Sequence, residues 1–137
     1  MHNRIFKSPN SVLVPSRASF VDVTTIAHDY QFPFKTFVNR NLLRNYTVAG
    51  VPDDDEGRLF VEGIVDDVLA AITGRIPGTS IGYGTSFAIQ FQFLAQHRRR
   101  RAPECLMLRA LIGPYSDPEV YVSVVPGSHA NCEAPDL

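Results

Sequence analysis

Residues 86–125 read SFAIQFQFLAQHRRRRAPECLMLRALIGPYSDPEVYVSVV. Phe87, Ile89, Phe91, Phe93 and Ala95 alternate with Ser86, Ala88, Gln90, Gln92 and Gln96, a period of two that sets one apolar row along one side of an extended chain. Leu106, Leu108, Ala110 and Ile112 repeat the pattern between Glu104 and Ile112, and Val120, Val122 and Val124 repeat it between Glu119 and Val125. Pro114, Asp117 and Pro118 punctuate the turn between the last two runs. The stretch predicts a three-strand antiparallel meander with one face buried.

Upstream, Leu59, Phe60, Ile64, Val65, Val68, Leu69 and Ile72 make an apolar stripe at helical spacing from about residue 56 to 73. Asp53, Asp54, Asp55 and Glu56 stand at its start, where the helix dipole favours negative charge, and Gly74 supplies the stop. That role accounts for the acidic run without a metal. Asp66 and Asp67 are neighbours on this helix and diverge by roughly 100°, so they predict a solvated face rather than a converging acid–base pair. An earlier helix is expected to open at Pro33, with Phe34, Phe37, Val38 and Leu42 inward. Before it, Val12 to Ile26 is rich in β-branched residues and predicts a strand, broken near Pro15.

The fold class that follows is α+β: an N-terminal strand, two amphipathic helices, then the three-strand meander, with the helices packed on one face of the sheet. Residues 12–126 are expected as one globular unit between an arm at 1–11 and a tail at 127–137. At 137 residues, 45% hydrophobic and 20% charged, the chain suits a single domain rather than a disordered or multidomain protein. No apolar run approaches the roughly 18–20 residues of a bilayer span. No apolar core of a signal peptide is read at the N-terminus, and a cytoplasmic or virion setting is expected. Two cysteines are too few for a disulfide framework, which predicts reduced thiols and a small core residue at Cys105.

A net charge of −1 argues against a protein that coats nucleic acid wholesale, yet the charge is unevenly placed. Of 13 basic residues only Lys7 and Lys35 are lysine, and arginine's planar fork favours phosphate and carboxylate partners. The front of the chain is basic, Asp53 to Asp67 is acidic, and His97, Arg98, Arg99, Arg100 and Arg101 form a second basic point between two strands. Adjacent guanidiniums repel unless an anion neutralises them, so this connection is the candidate site for nucleic-acid phosphate or an anionic lipid surface. No aromatic residue is interleaved for base stacking, so base-specific reading is not expected. Alternating charge blocks suit packing between copies. Phe6, Arg40, Arg44, Asp53, Asp54 and Asp55 are the candidate interface residues of a homo-oligomer.

Other motifs carry less. The glycine-rich stretch 74–86 follows a helix and precedes a strand, the reverse of a phosphate-binding loop, and lacks its lysine; it predicts a flexible connection. His129 and Cys132, even with Cys105, do not complete a four-ligand zinc set. No metal, cofactor or catalytic residue is assigned. The function expected is a small self-assembling structural protein, a viral or phage matrix, coat or connector type of subunit, touching an anionic surface through the arginine run. One alternative is a non-enzymatic adaptor for a protein partner. The other is a small enzyme with its site near His28, Asp29 and the 74–86 segment.

Overall fold

A computed structural model describes residues 5–7, 13–15, 19–95 and 103–125. The three alternating runs form β6 (Ser86–Ala95), β7 (Glu104–Gly113) and β8 (Glu119–Val124), joined in antiparallel order. They are not a free-standing meander. With β3 (Phe20–Asp22), β4 (Lys35–Asn39) and β5 (Thr79–Tyr83) they make a six-stranded sheet of order β3-β4-β8-β7-β6-β5, in which β4 and β8 are parallel and the other neighbours antiparallel. β1 (Ile5–Lys7), in the stretch expected as an arm, pairs with β2 (Leu13–Pro15), just past its expected end, and the two form a two-stranded sheet.

The described residues hold three helices, α1 (Thr24–Asp29), α2 (Arg40–Tyr46) and α3 (Asp55–Ile72), where two were expected. The helix predicted from Pro33 is a strand followed by a helix. Thr36 and Val38 bury at strand spacing, whereas Leu42, Leu43 and Tyr46 bury at helical spacing. The period changes at Asn39, whose side chain accepts a hydrogen bond from the Asn41 amide (2.9 Å) and so caps α2. The expected strand over Val12 to Ile26 likewise breaks up into β2, β3 and the start of α1.

Helix α3 matches its expected span. The Asp54 side chain accepts from the Gly57 amide at 2.8 Å, and Asp55 and Glu56 occupy the first turn. At the other end Gly74 takes φ +78°, the Arg75 amide donates to the Ala70 carbonyl and the Gly74 amide to Ala71, closing the orphan carbonyls. The buried face is Val61, Ile64, Val65, Val68 and Ala71; Leu59, Leu69 and Ile72, placed on the apolar stripe by spacing, are exposed.

The helices share one core with one face of the sheet. Ala27, Leu43, Ile64 and Val65 pack with Val38, Phe91, Leu108, Ala110 and Val122 in a single buried cluster. The opposite face carries a smaller cluster of Ala88, Leu111 and Tyr121 with Phe20 and Phe37 and no helical residue. There the Tyr121 ring stacks on Phe37 at 4.7 Å and meets Phe20 edge-on at 5.3 Å. Cys105, on this face of β7, is disulfide-bonded and not the reduced core residue expected; the chain's other cysteine is Cys132. No described helix is long and apolar enough to cross a membrane.

The glycine-rich connection is also corrected, since Thr79–Tyr83 is a strand. It turns into β6 through Gly84 and Thr85, with Gly84 at φ +62° as the first central residue of a two-residue hairpin turn. Its residues are almost all exposed, so no apolar alternation marks it.

Candidate assembly edge

Strand β7 pairs with β6 from Phe87 to Ala95, but β5 pairs only with Ser86 to Gln90. Among the described residues Phe91–Ala95 therefore has a neighbouring strand on one side only. Thr79 lies opposite Gln90, so continuing the register would set Pro77 opposite Gln92, and proline has no N–H to donate. Across a two-residue hairpin turn the flanking residues, here Tyr83 and Ser86, exchange hydrogen bonds. Ser86, Ala88 and Gln90 thus direct their backbone groups at β5, and by strand alternation Gln92 and Leu94 direct theirs at the open edge.

A groove of about 470 Å³ runs between this edge and α3. Its helical wall is Leu59, Phe60, Gly63, Asp66 and Asp67, and its strand wall is Phe93, Leu94 and Ala95. A second groove of about 540 Å³, past Pro77 and Gly78, shares Asp67 and Leu94 with the first, so the two follow the open edge in continuity. Leu59, on the helix, is 69% exposed, and Leu94, on the strand with its side chain on the sheet face away from α3, is 60% exposed. Among the described residues Glu56, Asp66 and Asp67 are the charged ones lining the two grooves.

The acids are not equivalent. Glu56 Oε1 accepts from the Val48 amide at 2.6 Å and is held there. The negative charge of Asp66 is the main reason the Tyr30 hydroxyl titrates above its ordinary value, burial adding to it. Asp67, expected as solvated, is half-buried; burial first, then the neighbouring Asp66, raises its carboxyl above the usual range. A carboxylate whose folded pKa is raised favours the folded state below its unfolded pKa, and that advantage fades as pH climbs through the folded value. Asp67→Asn should therefore stabilise the protein slightly at neutral pH, by under about 1 kcal/mol for so solvated a group, and the two proteins should converge below roughly pH 4. Thermal melts at both pH values measure this.

The expected interface residues are scattered by comparison. Asp54 is committed to capping α3, and Asp53 and Asp55 are exposed beside it. Arg40 is exposed at the start of α2 with its Nη2 3.5 Å from the Phe20 carbonyl, and Arg44 is exposed on the same helix. Among the described residues no ion pair joins either arginine to the Asp53–Asp55 run; the described pairs are Arg58 with Asp29 and with Glu62. The side chain of Phe6 and the run His97–Arg101 lie outside the described residues, the run following the edge strand after Ala95.

His28 and Asp29 do not converge on one chemistry. The imidazole Nε2 lies 3.1 Å from the Pro33 carbonyl oxygen, while Asp29 Oδ2 accepts from Arg58 at 3.0 Å. Neither lines the groove formed by residues 76–79. The described residues hold no cluster of three histidine, cysteine, aspartate or glutamate side chains fit for a metal.

The edge itself was missed from sequence. Its signal is Leu94, an apolar residue standing in the otherwise polar row of Gln90, Gln92 and Gln96. No family model, curated protein or solved structure matches this chain.

Proposed function

We propose that the chain is a small self-assembling structural protein, a viral or phage matrix, coat or connector type of subunit, that meets an anionic surface through His97–Arg101. The observation that carries this reading is the Phe91–Ala95 edge, unpaired on its outer side among the described residues, with Leu59 and Leu94 exposed beside it. Folded proteins usually blunt such edges with short strands, charges or a covering element, because an open ladder of N–H and C=O groups recruits another strand. The far edge of this sheet is blunted, being three residues of β3 with Arg40 reaching the Phe20 carbonyl. The β6 edge carries apolar side chains instead, as an association site does.

The arginine run begins just beyond that edge, so copies joined there would bring basic connections near one another, and a polyanion would relieve their repulsion. Of the two settings considered, cytoplasm and virion, the disulfide at Cys105 favours the virion, since disulfides persist on virion surfaces and are reduced in cytosol.

Light-scattering mass on a sizing column, with absorbance at 260 and 280 nm across the peak, tests the reading. A multiple of 15.2 kDa is expected. Replacing Arg98, Arg99, Arg100 and Arg101 together by glutamine should abolish binding to single-stranded RNA or to anionic vesicles, whichever the wild type binds, at unchanged melting temperature. A single-chain mass at every concentration removes the assembly reading, and undiminished binding by the glutamine variant removes the arginine assignment.

A further inference from the structure

We infer that β5 is a two-fold contact between copies, its outer edge pairing antiparallel with β5 of a second copy. This surface is separate from the Phe91–Ala95 edge, and the inference goes beyond the assembly reading. Among the described residues β5 is the last strand of the six-stranded sheet and has β6 as its one neighbour. Thr79, Ser80, Ile81 and Gly82 are all exposed, Ile81 to 42%. Gly82 is open on the face opposite Ile81 as well, since a Cβ there would meet no atom within 4 Å beyond its chain neighbours.

The strand lacks the charges and proline that commonly blunt an edge. Residues 76–86 read IPGTSIGYGTS and carry no charge, and β5 itself holds no proline. Thr79, Ile81 and Tyr83 are good strand formers, so the stretch stays extended without a cover. The opposite end of the sheet differs, being three residues of β3 with Arg40 beside it.

Strand alternation fixes which groups meet. Tyr83 exchanges hydrogen bonds with Ser86, so Tyr83, Ile81 and Thr79 direct their backbone groups at β6, and Ser80 and Gly82 direct theirs outward. Those two flank Ile81 symmetrically. An antiparallel copy centred on Ile81 sets Ser80 opposite Gly82, a pair able to exchange both N–H···O bonds. It sets Ile81 opposite Ile81, with about 4.5 Å between their Cα atoms. On the same face Thr79 stands opposite Tyr83 of the copy, a β-branched residue against an aromatic one. The strand is complementary to itself, which selects a second copy as the partner, and the uncharged 76–86 stretch sets no like charges opposite one another. Such a contact is isologous and closes at a pair of chains.

Full-length cysteine variants test the register. Ile81→Cys should cross-link into a covalent pair of chains on mild oxidation, because a Cα separation of about 4.5 Å lies within the roughly 4.4–6.8 Å that a disulfide spans. Ser80→Cys is the control, since its counterpart in the copy lies two residues further along the strand and out of that reach. The wild type, whose Cys105 is already disulfide-bonded, is the blank on the same non-reducing gel. Ser80→Pro removes an outward amide and leaves the ladder to β6 intact, so it should keep the wild-type melting temperature and lower the light-scattering mass at least twofold. Ile81→Lys, which sets two like charges opposite each other, is the second variant should the proline disturb folding. Cross-linking of Ile81→Cys no faster than of Ser80→Cys overturns the β5 pairing, and the assembly reading then stands wherever the wild type is still a multimer. A wild type that is a single chain at every concentration removes both.

Discussion

Gly57→Ala is expected to destabilise the protein by about 3 kcal/mol, lowering the melting temperature by roughly 10 °C. The sign is the informative part. Gly57 lies in the first turn of α3 with ordinary helical backbone, where alanine is normally favoured over glycine by about 1 kcal/mol. Packing reverses that preference. A Cβ on Gly57 would collide with the Val51 carbonyl oxygen and approach the Pro52 Cα to 2.9 Å, both main-chain atoms that no rotamer change can move aside. Relief requires shifting the helix start, which also disturbs the 2.8 Å bond from the Gly57 amide to the Asp54 side chain. Gly63→Ala is the matched control: its Cβ would stand 3.8 Å from the Phe93 ring, ordinary contact, so helix propensity should prevail with a gain of about 0.5–1 kcal/mol. Urea denaturation of the pair checks both, and a stabilising Gly57→Ala would mean that the 51–57 approach is wrong.

How far such features can be read from sequence depends on whether an element's neighbours lie on one face. Strands β6, β7 and β8 are legible because α1, α2 and α3 cover one side of them, forcing apolar residues to every second position. Helix α3 is legible from its stripe, its acidic start and Gly74, although Leu59, Leu69 and Ile72 show that an apolar residue at near-helical spacing can still face outward. Strand β4 is not legible, because Phe34, Phe37, Val38 and Leu42 imitate helical spacing across a strand–helix junction whose only marker is the cap at Asn39. Strand β5 hides for the opposite reason, being exposed along most of its length with no alternation to detect. The candidate site is harder still. An open edge is a missing neighbour, set by where β5 stops, and sequence holds only its by-products: Pro77, which ends the pairing, and Leu94, which breaks a polar row.

Phe91→Ala should cost about 3–5 kcal/mol, whereas Leu94→Ser, three residues along the same strand, should cost less than about 0.5 kcal/mol. Both side chains are large and apolar, and their difference is strand parity. Phe91 points into the shared core and is 1% exposed, so truncation loses its transfer energy and leaves a cavity that β7 and α3 cannot fill without moving. Leu94 points to the other face and is 60% exposed, so little is lost in the isolated chain. The function should invert this order. At temperatures where both variants remain folded, Phe91→Ala should retain its assembled mass, because the edge backbone of Gln92 and Leu94 survives, while Leu94→Ser should dissociate at lower dilution because an exposed wall of the site is gone. Chemical denaturation gives the first ranking and light-scattering mass across a dilution series the second. If Leu94→Ser matches Phe91→Ala in stability, Leu94 is part of the core and the edge is not open. If it matches wild type in both measurements, the exposed leucine has no share in assembly, and the open backbone ladder must hold the copies together without it.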